Sequence, residues 1–155
     1  MKVRLARENE YDQIEAIMKQ IHELHTQWRP DIYKAVETVL PKEQFLEHLR
    51  RSEILAAEEN GEVVGMAIYV TRRITGGPQV ERKVLFIDSM GVKEGHRGQG
   101  IGHLLFDELR RIYQEDGYDG LELQVNAKNL AARRMYASYG FTEKSINLEL
   151  LPGGK

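Results

Sequence analysis

A mixed α/β domain, with a largely antiparallel central sheet flanked by helices, is predicted by three features of this chain. Stretches of period-two alternation are interleaved with stretches of helical period. Asn60-Gly61 stands between two apolar runs, a strong signal for a two-residue type I′ hairpin. A glycine-rich junction, Gly95-His96-Arg97-Gly98-Gln99-Gly100-Ile101-Gly102, joins the most apolar strand to an amphipathic helix.

The elements follow in chain order. Lys2-Val3-Arg4-Leu5-Ala6 alternates and predicts a half-buried first strand. Ile14, Ile17, Met18, Ile21, Leu24 and Trp28 share one helical face, and that helix ends before Pro30 because the residue ahead of proline avoids helical geometry. Residues 29–40 predict a loop, and Pro41 opens a helix to about Arg51 with Phe45, Leu46 and Leu49 inward. Ile54 to Ala57 and Val63 to Val70 form the hairpin, Gly76-Gly77-Pro78 a second turn, and Val84 to Val92 a strand inside the sheet. Ile101, Leu104, Leu105, Leu109 and Ile112 predict a helix closing near Gly117, followed by a strand over 121–125. Asn129 caps a short helix through Tyr139, Gly140 fits its C′ position, and Ile146 to Leu151 reads as a closing strand. One domain over 1–151 with a flexible tail over 152–155 is expected.

Composition narrows the function classes. With 22 Lys+Arg against 24 Asp+Glu, the net charge of −2 offers no bulk basic surface for nucleic acid. The absence of cysteine excludes a disulfide framework and a thiol nucleophile, and fits a reducing compartment. Met1-Lys2-Val3-Arg4 leads into an alternating segment rather than a signal core, and no apolar run reaches membrane-spanning length. A soluble cytoplasmic domain, with no membrane or nucleic-acid partner and no metal, is the expectation.

The junction at 95–102 carries the chemistry. Glycine permits sharp turns and close approach, a helix start offers unpaired N–H groups and partial positive charge, and Arg97 adds a planar fork suited to phosphate oxygens. The spacing is not that of a dinucleotide fold, and no Gly-Lys-Ser/Thr ends the loop as a P-loop requires. A phosphate-bearing ligand is predicted. Gly91, inside the apolar strand, marks a bulge, a close backbone approach or a plain packing position. A bulge there would expose backbone groups with which an amide-bearing ligand can pair as a pseudo-strand. Asp88 in so apolar a strand needs either hydrogen-bond partners or exposure.

Arg97-x-x-Gly100-x-Gly102, followed by Asn126-x-x-Asn129-x-x-Ala132-x-x-Met135-Tyr136-x-x-x-Gly140-Phe141, resembles the GNAT family of N-acetyltransferases. The resemblance covers about residues 84–141 and implies that family's fold, whose sheet contains a splayed strand pair. It implies acetyl-CoA as donor and a primary amine as acceptor. The pyrophosphate would lie over Arg97, Gly98, Gln99, Gly100, Ile101 and Gly102, and the pantetheine arm along Met90, Gly91 and Val92. Asn129 matches the position that holds the pantetheine or orders the neighbouring turn, and Tyr136 the tyrosine that protonates the departing thiolate. Asp88 stands where relatives carry an acid able to act as base, directly or through water. His25, Trp28 and Tyr33, with His22 and Asp31, fall where the family borders its acceptor, and on their own read equally as decoration of a helix face and loop. His96 departs from the aromatic residue usual before the arginine. A small-molecule amine is the expected acceptor. A protein or peptide amine, and a non-catalytic CoA-binding regulatory module, are the alternatives. The resemblance also implies a homodimer.

Overall fold

The computed structural model describes residues 1–154; Lys155, the end of the expected tail, lies outside the described residues. The chain divides into two compact units, Met1–Gln124 and a second beginning at Val125.

In the first unit, β1 (Lys2–Leu5) leads through a 3₁₀ turn (Glu8–Glu10) into α1 (Tyr11–Trp28) and then α2 (Lys42–Arg50). A meander follows, of β2 (Ile54–Glu59), β3 (Glu62–Ile74) and β4 (Arg82–Val92). Then α3 (Ile101–Glu115) crosses to β5 (Gly120–Leu123). The sheet order is β1-β2-β3-β4-β5, antiparallel except for the final parallel pair β4–β5. Asn60 (φ 52°) and Gly61 (φ 81°) are both left-handed, the type I′ turn that matches the twist of its strands.

The sheet is covered on both faces. On one side Ile14 and Ile17 of α1 and Phe45 of α2 pack with Ile54, Ala56, Met66 and Ile68 in a sealed cluster. On the other, α3 sits so close to β3 that a Cβ on Gly65 would lie 2.7 Å from Ile101 Cγ2. Gly65 and Met66 are neighbours on one strand and so face opposite sides, which sets the two layers. Outside the core, Arg4 bridges Glu10 at 2.8 Å and Glu58 at 3.1 Å, tying β1, the 3₁₀ turn and β2 together.

The second unit holds α4 (Leu130–Ser138), capped as predicted by Asn129 Oδ1, which accepts from the Ala132 N–H at 3.1 Å. Gly140 follows with φ 100°, in the left-handed position that ends a helix. The closing strand expected over 146–151 is not formed: these residues carry no regular structure, and Ile146, Leu148 and Leu150 are exposed. Period-two alternation supplies one face of a strand, but a strand exists only where a neighbour completes its ladder, and no ladder forms along this segment among the described residues.

Candidate functional site

The site begins where β4 loses a neighbour. The β4–β5 ladder runs from Val84 opposite Gly120 to Ile87 opposite Leu123 and stops there. On the other side β3 stays paired through Val92, with one irregularity: Ile68 faces Ser89 and Tyr69 faces Ile87, so Asp88 is the extra residue of a bulge. The break in the strand is therefore at Asp88, three residues before the glycine that sequence reading offered as a bulge. Gly91 has another cause. It faces α1, and a Cβ there would lie 2.7 Å from Ile21 Cδ1 and 2.9 Å from Ile21 Cγ1.

Below the bulge β4 is an open edge. Lys93 N donates to Val64 O at 2.8 Å, which fixes the phase of the β3–β4 ladder. Bonded and non-bonded pairs alternate along antiparallel strands. Ser89 and Gly91 therefore turn their backbone groups to β3, while Met90 and Val92 turn theirs to the side that β5 has left. Arg97 Nε reaches the Val92 carbonyl from that side, at 3.3 Å. Asp88 is exposed at the head of this edge.

The glycine junction follows at once. Gly95, Gly98 and Gly100 have φ of 89°, 78° and 83°, and a Cβ on any of them would meet nothing within 4 Å. They are required for left-handed backbone, and the space above them is open. Gly100 is the N-cap of α3 and brings no side-chain cap, so the first amides of the helix point into that space. Ile101 is sealed in the core by its side chain, which leaves only its backbone to face a ligand, and Gly102 lies in the first helical turn. Arg97, Gly98 and Gln99 are exposed. An open pair of strand amides leading into a bare helix start fits a long amide-bearing ligand that ends in phosphates.

Sequence reading missed the anchors of this loop. Gln20 Oε1 on α1 accepts from the Glu94 N–H at 2.9 Å. Lys93 is paired with Glu62, and His96 Nδ1 lies 3.6 Å from Glu59 Oε2, both acids flanking the β2–β3 turn. No local pattern announces such partners, which lie more than thirty residues away in sequence.

The predicted acceptor residues form a second cluster at the end of α1. His25 packs at a tilt on Tyr33 with ring centroids 5.0 Å apart and meets Trp28 edge-on at 5.7 Å, and His22 meets Tyr33 edge-on at 6.1 Å. His22 Nε2 lies 2.7 Å from the Lys34 carbonyl, so that nitrogen carries the proton and pins the loop to the helix. Burial first, and the neighbouring His22 second, push His25 below its ordinary value, so it is neutral at physiological pH. Asp31 is held by Arg29 through two bonds, at 2.9 and 2.7 Å. Among the described residues no group of acids, histidines or cysteines is arranged to hold a metal, and no helix is long and apolar enough to cross a membrane. A surface cavity lined by Asp12, Gln13, Ala16, Ile17, Val63 and Lys93 shares no residue with the open edge.

In the second unit Tyr136 is half-buried, with Phe141 at 5.5 Å and Tyr139 at 6.3 Å edge-on to its ring. Burial pushes its hydroxyl up to about 12. Asn126 Oδ1 accepts from the Lys128 N–H at 2.9 Å, ordering the turn that enters α4.

Known proteins share this arrangement. The model of the acetyltransferase (GNAT) family matches residues 18–141. N-acetyltransferase 8 of Mus musculus is 32% identical over 93 residues, 60% of this chain and 40% of that protein. Mycothiol acetyltransferase of Brachybacterium faecium is 29% identical over 98 residues, 63% of this chain and 28% of that protein. The chain thus spans less than half the length of these curated relatives. Among solved structures, a mutant of the BH1408 protein from Bacillus halodurans superposes with a TM-score of 0.94 at 26% identity, covering 98% of this chain and 99% of that one. The aminoglycoside N-acetyltransferase AAC(6')-Iy, solved with CoA, shares the fold with a TM-score of 0.71 at 15% identity, over 97% and 98% of the two chains. With a family match that takes in β4, the glycine junction and α4, this chain belongs to the GNAT acetyltransferase family.

Proposed function

We propose that this chain transfers the acetyl group of acetyl-CoA directly to a primary amine on a small molecule. One observation carries the reading: the outward amides of Met90 and Val92 lead into three left-handed glycines and an uncapped helix start. That sequence of groups matches, in order, the amides and then the phosphates of the donor. Arg97 adds a charge-assisted bond to the phosphates.

A thioester is already activated, so the amine attacks without a covalent enzyme intermediate. Its nitrogen bonds to the carbonyl carbon, the carbon–sulfur bond breaks, and the electron pair leaves on sulfur. An alkylammonium with a pKa near 10.4 is only about 0.1% neutral at pH 7.4, so a proton must first be taken up. Asp88, directly or through an ordered water, is the acceptor for it. An N–H of the open edge, at Met90 or Val92, polarises the carbonyl. Tyr136, by its place in the motif, gives its proton to the thiolate, and the acylated nitrogen sheds its second proton to restore the Tyr136 hydroxyl. With its hydroxyl pushed up to about 12, Tyr136 keeps that proton as pH rises through 10, and loses it only as pH nears 12.

The lack of cysteine supports a reducing, cytoplasmic setting, and the exposed alternation of Ile146, Leu148 and Leu150 supports a homodimer. Thiol release from acetyl-CoA with pooled amines tests the reading, with Tyr136→Phe alongside. The expected result is amine-dependent release that slows by about 10²–10⁴ in the variant while acetyl-CoA binding holds. Equal rates in the two proteins defeat the acid assignment, and binding without turnover in any small-amine pool points to a protein acceptor or a CoA-binding module.

A further inference from the structure

The path of α1 shows what hangs over the open edge. Near its start, Gln13 Oε1 accepts from the Val63 N–H at 2.8 Å, which puts that turn over β3. One and two turns on, Ile17 and Ile21 lie on Gly91 of β4. The helix therefore crosses the sheet from β3 to β4. His25 is one turn further along the same stripe, about 6 Å at 1.5 Å per residue, against a strand spacing of about 4.8 Å. The last turn of α1 thus extends past β4, on the side where the β4–β5 ladder ends.

We propose that the acceptor amine is carried on a hydrophobic, preferably aromatic, scaffold seated beneath the rings of His25, Trp28 and Tyr33. This rests on the acetyltransferase reading and narrows its substrate class. The cluster is built of aromatic rings, edge-on or tilted to one another, and the loop beside it exposes Ile32 and Val36. His25 is neutral, and the acid Asp31 is engaged by Arg29. A polyamine or amino sugar brings several ammonium groups, each of which needs a carboxylate on desolvation. Asp88, exposed at the bulge, offers one carboxylate for one ammonium. During transfer that ammonium gives its proton to the Asp88 side, the new C–N bond forms, and the C–S electron pair leaves on sulfur. The scaffold takes no part beyond filling the space under the rings.

The test is thiol release from acetyl-CoA with phenethylamine, n-propylamine, spermidine, kanamycin and a short lysine peptide as acceptors. Wild type, Tyr33→Ala and Tyr33→Phe are compared, with acetyl-CoA binding followed by calorimetry. Burying a phenyl ring predicts that phenethylamine exceeds n-propylamine and spermidine in kcat/KM by about tenfold or more, mostly through KM. Tyr33→Ala brings that ratio to within about threefold, and Tyr33→Phe restores it. Preference for spermidine, kanamycin or the peptide overturns the proposal, as does a ratio unchanged in a folded Tyr33→Ala. No release with any amine, from protein that binds acetyl-CoA, overturns the proposal and leaves the donor site standing. Failure to bind acetyl-CoA removes both.

Discussion

Gly91→Ala separates two reasons for a glycine in this strand. If the position serves the approach of a ligand, the change weakens acetyl-CoA binding and leaves stability alone. The structure assigns it instead to the approach of α1, because a Cβ would stand 2.7 and 2.9 Å from Ile21 Cδ1 and Cγ1 and 3.3 Å from Ile17 Cγ2. The first of these is the flexible end of a side chain, but the second is not, so the helix or the Ile21 rotamer must move. Overpacking of this kind costs about 1–3 kcal/mol. Because the Gly91 backbone is not in the left-handed region, alanine also stiffens the unfolded chain, offsetting about 0.4–1 kcal/mol of that cost. The expected net loss is about 1–2 kcal/mol, or roughly 2–8 °C in Tm for a chain of this size. Urea unfolding of Gly91→Ala, Ile21→Ala and the double variant reads it. Ile21→Ala removes the obstructing atoms, so Gly91→Ala should then cost less than about 0.5 kcal/mol, a coupling of about 0.5–1.5 kcal/mol. A cost that persists undiminished without the Ile21 side chain refutes the reasoning.

Two further outcomes concern the site. Arg97→Ala should weaken acetyl-CoA binding by about 10–100-fold, from the loss of about 1.5–3 kcal/mol of charge-assisted bonding, and calorimetry at low and high salt should show the gap narrowing as salt rises. An unchanged Kd takes Arg97 out of the site. Asp88 is exposed and lies in a bulge, so Asp88→Asn should leave Tm and donor affinity alone while lowering kcat/KM by about 10²–10⁴ near pH 7. Retained turnover in that variant hands the proton to water or to another group.

Most of the fold was legible because its signals are local. The Asn60-Gly61 turn, the stripe from Ile14 to Trp28 and the Asn129 cap each declare themselves within a few residues, and each is present. The glycine junction was legible for the same reason. What sequence reading left open or misplaced depends on pairing at a distance. Whether the break in β4 falls at Asp88 or Gly91 is settled by the β3 register and by the reach of Ile21, neither of which any window around residue 90 contains. The strand expected over 146–151 failed similarly, since alternation cannot supply a ladder partner. Gln20, Glu59 and Glu62 went unnoticed because, read locally, they are ordinary polar residues of a helix and a hairpin.

The tethering of the glycine junction has a thermodynamic consequence. Three left-handed glycines in a row of eight residues would ordinarily be a floppy segment, costly to still when a ligand arrives. Here the segment is tied to α1 through Gln20, to the hairpin through Glu62, and back onto its own strand through Arg97 and the His96 N–H, which donates to the Lys93 carbonyl at 3.0 Å. The entropy of ordering is thus charged to folding and not to association, so under the proposed function little of the donor's intrinsic affinity is consumed in arranging its cradle. By linkage the affinity returns as stability, about 2.7 kcal/mol at a hundredfold excess over Kd. A protein of this design should be most resistant to unfolding when its donor is plentiful.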